Sequence, residues 1–138
     1  MIVDRVRTFL SHLNHCWPTA TPARLADFYH PDVVLLPPDL GAPIIGRAAV
    51  VESYAEFLRT ARLVSFEVEK LETFAYSQTC MAHLNFDIVY DLGGDRYQDK
   101  GLEIYTIIEQ AERLEIVWRC QTVLDSRLSS KSDPGYEA

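Results

Sequence analysis

At Leu63 the hydrophobic period of this chain changes, and no other feature limits its fold as tightly. Before that point apolar residues recur at helical spacing. Val3, Val6, Phe9, Leu10 and Leu13 form one stripe, with Trp17 a turn beyond; Val50, Tyr54, Phe57, Leu58 and Ala61 form another. After it they alternate. Val64, Phe66 and Val68 interleave with Ser65, Glu67 and Glu69, and Cys80, Ala82, Leu84, Phe86, Ile88 and Tyr90 interleave with Thr79, Met81, His83, Asn85 and Asp87. Helices first and a run of strands afterwards make an α+β fold, in which one helical layer covers one face of the sheet. The 138 residues suit one domain with a core that needs no staples.

The chain in order refines this. Pro18 ends a helix over 2–16, because proline pushes the residue before it out of the helical region. Thr21-Pro22 has the form of an N-cap and first helical position, opening a short helix over 22–30. His30-Pro31-Asp32 is a break, and Val33 to Leu36 is a strand buried on both faces. Residues 37–46 hold three prolines and two glycines, and serve either as a rigid connector or as a functional loop. Gly46-Arg47 opens a third helix. The alternation slips at Lys70-Leu71, which predicts a β-bulge, and Gly93-Gly94-Asp95 is a hairpin turn. Strands over 97–109 and 113–124 follow. The expected fold is three helices on a strongly bent, mostly antiparallel sheet that forms a cone over residues 1–125, with a flexible tail over 126–138.

Charge and cysteines narrow the function. A net charge of −7 argues against nucleic acid and against an anionic membrane surface. No apolar run has the length of a membrane span, and the chain opens on a charged amphipathic helix, not a signal core. Cys16, Cys80 and Cys120 are odd in number and lack metal-knuckle spacing, which fits reduced thiols in the cytoplasm. His12, His15 and His30 have no metal-ligand spacing, and Gly93-Gly94 lacks the strand-to-helix setting of a phosphate loop. No metal or other cofactor is therefore expected.

The elements and several short motifs together resemble the nuclear transport factor 2-like superfamily, which includes SnoaL-like polyketide cyclases and ketosteroid isomerases. The residues that carry the resemblance are Trp17, Leu25-Ala26-Asp27-Phe28-Tyr29, Pro31-Asp32-Val33, Pro37-Pro38, and Gly46-Arg47 with Tyr54. The resemblance spans about residues 3–125 and implies an α+β cone of cystatin-like topology with a pocket between helices and sheet. It places Tyr29 and Tyr54 on pocket tyrosines. It also places Leu13 where an isomerase has its oxyanion tyrosine, Pro37 where it has its base, and about Ile104 where it has its acid donor. Those residues cannot do that chemistry, so the resemblance argues against steroid isomerisation. Asp39 is the nearest substitute base, or else a turn carboxylate.

Two polar stripes could carry chemistry. His83, Asn85 and Asp87 share one strand face, either solvated or turned into the cone. If inside, His83 is the natural general base at neutral pH, with Asp87 as the second candidate catalytic residue. Arg119 and Gln121 share a face of the last strand; Arg119 either binds a carboxylate or enolate oxygen or pairs across strands with Glu103. Trp17, Tyr29, Tyr54 and Phe57 are expected to wall an apolar cavity from the helical side, with Asn85, Ile104, Arg119 and Gln121 opposite; the rival is a filled core.

Two functions from different classes follow. One is a binder of a small, largely apolar organic molecule, acting as a cofactor-independent isomerase, cyclase or hydratase. The other is a non-catalytic dimeric association module. A homodimer is expected in either case, because both faces of the last two strands carry apolar residues.

Overall fold

The computed structural model describes residues 2–19 and 22–129. Helix α1 (Ile2–Cys16) buries Val6, Leu10 and Leu13, the stripe set by their spacing. Trp17 adds one more bond, its amide donating to the Leu13 carbonyl at 2.9 Å. The helix expected over 22–30 is much shorter. Only α2 (Pro22–Leu25) is α-helical, Ala26–Phe28 forms a 3-10 turn, and Tyr29 is already extended. Pro31 explains the early stop, since it holds His30 in the extended region. Two long helices therefore stand where three were expected.

Strand β1 (Tyr29–Leu36) keeps going through the expected break. Its register with β6 jumps between Tyr29 and Val34, and the Asp32 amide donates to His30 Nδ1 at 3.0 Å. Pro31 has no amide to give a ladder, so His30-Pro31-Asp32 bulges outward inside the strand. Val33 and Leu35 are buried while Val34 and Leu36 are half-buried, so one face is fully covered and the other partly. After the short β2 (Ile44–Ile45), Gly46 turns the chain into α3 (Arg47–Thr60). Its φ of 97° is open to glycine, and its amide donates to the Val33 carbonyl at 2.8 Å.

Four long strands complete the chain: β3 (Arg62–Tyr76), β4 (Thr79–Leu92), β5 (Asp95–Gln110) and β6 (Arg113–Ser129). Strand β6 thus runs into the stretch expected to be a tail; residues 130–138 lie outside the described residues. The six strands order as β2-β1-β6-β5-β4-β3, antiparallel throughout except for β1 beside β6. The sheet is strongly curled. Register shifts account for this: β3 slips at Val64 and Glu69, close to the slip expected near Lys70, and β6 slips at Val117 and Leu124. Each extra residue bends its strand and adds twist.

The slips also decide which side chains share a face. On the inner face, toward the helices, lie Cys80, Ala82, Leu84 and Phe86 of β4, and Glu103, Tyr105 and Ile107 of β5. Arg119 and Gln121 of β6 stand opposite Tyr105 and Glu103 and share that face. Because Val117 is the extra residue, Ile116 points inward instead and is fully buried.

Gly101 faces Phe86 across the ladder at one of these slips. A Cβ there would fall against the Thr122 carbonyl oxygen and 2.5 Å from Phe86 Cζ. Backbone oxygens cannot step aside cheaply, so Gly101→Ala is expected to cost about 1–3 kcal/mol or more. Urea unfolding checks this; an unchanged midpoint would mean that the close approach at the β6 slip is absent.

Candidate functional site

A cavity of about 230 Å³ lies between the helices and the inner sheet face. Trp17, Tyr54, Phe57 and Phe66 form its aromatic wall. Trp17 sits at the centre, with ring centroids 5.9 Å from Tyr54, 6.2 Å from Phe57 and 5.0 Å from Phe66. Leu35 and Ile88 close the cavity from the sheet, and Pro37, Pro38 and Ile44 from the loop that precedes α3. That loop therefore forms part of the cavity wall.

Three polar side chains of the sheet reach into this apolar space: Glu103, Arg119 and Gln121. Glu103 is 2% exposed and Arg119 7%. Their pairing is close: Arg119 Nε donates to Glu103 Oε2 at 2.6 Å, and Nη2 lies 2.5 Å from the same oxygen. The Tyr105 hydroxyl donates to that oxygen too, at 2.8 Å. None of these bonds falls on Oε1. The guanidinium also lies 5.1 Å from the Tyr54 ring centroid and 5.8 Å from that of Tyr105, a cation–π arrangement on two rings. Behind Tyr54, its hydroxyl meets that of fully buried Tyr29 at 2.5 Å.

The electrostatics follow from burial. Desolvation opposes the Arg119 charge, but Glu103 and the neighbouring tyrosines outweigh it and hold the guanidinium ionised well above its ordinary range. Burial pushes the phenols of Tyr29, Tyr54 and Tyr105 up, and Glu103 adds to the shift in each; Arg119 acts against it without prevailing. All three stay neutral hydrogen-bonding hydroxyls beside the paired charges of Glu103 and Arg119.

The expected site residues divide cleanly. Trp17, Tyr54, Phe57, Arg119 and Gln121 line the cavity. Tyr29 backs it through Tyr54, and comes from β1 instead of a helix. His83, Asn85, Asp87 and Ile104 do not reach it. They alternate with the buried residues of β4 and β5 and point from the outer face. There His83 stacks on Phe74 at 5.7 Å with Glu72 3.9 Å away, and Asp87 accepts from Gln98 Nε2 at 3.0 Å. The cavity is walled mainly by apolar groups, so the apolar edge of β4 faces it and the polar edge takes the solvent side. Asp39 is an exposed turn carboxylate accepting the Gly41 amide at 2.9 Å. Glu103 was foreseen only as a salt-bridge partner. The position that the resemblance sets at about Ile104 faces outward, and its inward neighbour is Glu103; a slip of one residue exchanges the faces.

The profile of the SnoaL-like domain matches residues 6–114. The chain belongs to the SnoaL-like domain family, within the nuclear transport factor 2-like superfamily. Solved structures agree on the fold. A candidate scytalone dehydratase from Novosphingobium aromaticivorans superposes with a TM-score of 0.76 at 10% identity, covering 93% of this chain and 91% of that one. A ketosteroid isomerase-like protein from Erwinia carotovora atroseptica gives 0.74 at 12% identity, over 89% and 96%. A candidate calcium/calmodulin-dependent kinase II association domain from Exiguobacterium sibiricum gives 0.75 at 12% identity, over 87% and 91%. Comparison with curated proteins gave no match. Among the described residues, no helix is long and apolar enough to cross a membrane.

Proposed function

We propose that the cavity binds a small, largely apolar organic molecule and that Glu103 and Arg119 perform acid–base chemistry on it without a cofactor. The supporting observation is the buried Glu103–Arg119 pair on the wall of an aromatic cavity. A buried ion pair rarely outperforms well-packed apolar residues in stabilising a fold, so stability alone is a poor reason for one here. A role in chemistry explains it better. A carbonyl compound would lie against Trp17 and give up a proton from the adjacent carbon to Glu103 Oε1. Glu103 thereby becomes neutral, and the unpaired Arg119 charge holds the enolate oxygen. In a β,γ-unsaturated carbonyl compound, return of the proton to the γ-carbon completes an isomerisation. In a dicarbonyl compound, the enolate carbon attacks the second carbonyl carbon and the alkoxide so formed takes the proton back from Glu103, completing a cyclisation. Leu13 and Pro37 lack the groups a steroid isomerase needs, so its reaction is not the one proposed. The cavity is also smaller than the usual ligand pocket of roughly 300–1,000 Å³, which favours a small substrate.

A thermal-shift panel of small aromatic and polyketide-like compounds tests binding. A ligand at a hundred times its Kd stabilises the fold by about 2.7 kcal/mol, raising Tm by several degrees. Tyr54→Ala should abolish the shift. A panel with no shift would leave the second reading, an association module.

That reading draws on the outer sheet face, where Trp118 is 40% exposed beside half-buried Ile104 and Cys120. The likeness to the association domain of the Exiguobacterium protein extends it. The two readings are compatible, and we propose a homodimer through this face. Light scattering at micromolar concentration is expected to give twice 15.7 kDa; the monomer mass would reject the dimer.

A further inference from the structure

The cavity contains both signs of charge, and their pairing limits what it can accept. We infer that Glu103 is a specificity-determining residue that reserves the cavity for uncharged ligands by occupying Arg119; this rests on the cavity being a binding site, as proposed above. Among the described residues, Arg119 is the sole cation on the cavity wall, and both its Nε and Nη2 point at Glu103 Oε2, 2.6 and 2.5 Å away. A carboxylate ligand would have to displace Glu103 from that fork or leave two anions close together in a desolvated space. A cationic ligand would meet the Arg119 charge in the same way. A neutral molecule upsets neither. Its hydroxyl has an acceptor in Glu103 Oε1, which takes no bond from the described residues, and its ring has the apolar wall that Trp17 and Phe66 help to form. Ser53 favours the same ligand: its own hydroxyl already donates to the Val50 carbonyl at 2.6 Å, so its oxygen is left as a second acceptor for a ligand hydroxyl. The preferred ligand class is therefore a small neutral ring carrying a hydroxyl, and its carboxylate counterpart is excluded although an arginine lines the wall.

Matched probes of one shape decide this. At pH 7, 2-naphthol is neutral and 2-naphthoate is an anion. Calorimetric titration of the whole chain is expected to show 2-naphthol binding at least about tenfold more tightly than 2-naphthoate. In Glu103→Gln the guanidinium is freed, and the ratio should move at least about tenfold toward 2-naphthoate. Should Glu103→Gln not fold, Glu103→Gln/Arg119→Gln provides a second arm. With no charge left in the cavity, it should keep 2-naphthol and bind 2-naphthoate no more tightly than the wild type does. Equal or tighter binding of 2-naphthoate by the wild-type chain, with 2-naphthol displaced, would overturn the inference while leaving the cavity a binding site. Binding of neither probe to the wild type would overturn the binding reading itself, and this inference with it.

Discussion

Replacing Arg119 by leucine is expected to destabilise the chain by about 3–5 kcal/mol, and so is replacing Glu103 by leucine. Each single change strands its partner charge among Tyr29, Tyr54 and Tyr105, all of them buried in the core. The double change leaves no charge to strand. Leucines at both positions bury well against Trp17 and Phe66, so Glu103→Leu/Arg119→Leu should recover most of the loss. The signature is non-additivity: the double variant is more stable than either single one. Urea unfolding of the three variants checks it. Additive losses would mean that the two side chains are independently solvated and not the buried pair described.

The second large effect is alkaline. Burial raises the phenols of Tyr29, Tyr54 and Tyr105 above the ordinary value of 10.0. Above that pH the unfolded chain releases protons that the folded chain retains. The unfolded state then binds fewer protons, so stability falls as pH rises. The contribution of these groups is complete below pH 10.0 and is lost as pH climbs toward their folded values. Each buried phenol contributes up to about 1.4 kcal/mol per pH unit, so the three together give roughly 4 kcal/mol per unit. Unfolding midpoints should be level at mildly alkaline pH and drop steeply beyond it. The Tyr29→Phe/Tyr54→Phe variant should drop less steeply, because it has lost two of the titrating groups. An equal slope in both proteins would show that these hydroxyls are open to solvent.

The fold was legible where the period was long and clean. The Val6, Leu10 and Leu13 stripe and the alternation after Leu63 specify α1 and the four long strands without any tertiary information. The second helix was not legible because Leu25, Phe28 and Tyr29 fit a short helix and a helix-to-strand junction equally well. Only the extended geometry at Tyr29 separates the two. The site was legible in its aromatic half. Trp17, Tyr54 and Phe57 must face the sheet on helical phase alone. Its polar half depended on which face of each strand points inward, and bulges reset that choice. The slip at Val117 turns Ile116 inward, whereas unbroken alternation would put it with Trp118 on the outside. On β4 the alternation was unambiguous, but polarity was a poor guide to the cavity. His83, Asn85 and Asp87 lie half-buried on the outer face because the residues between them are the ones the core needs.

Two tryptophans report on the two faces of the sheet. Trp17 lies on the cavity wall and Trp118 on the outer face. In Trp118→Phe, tryptophan emission comes from Trp17 alone, and in Trp17→Phe it comes from Trp118 alone. Titration with 2-naphthol should give a saturable change in Trp17 emission in the first protein and none in the second. A response from Trp118 with Trp17 silent would place binding on the outer face and contradict the account of the cavity.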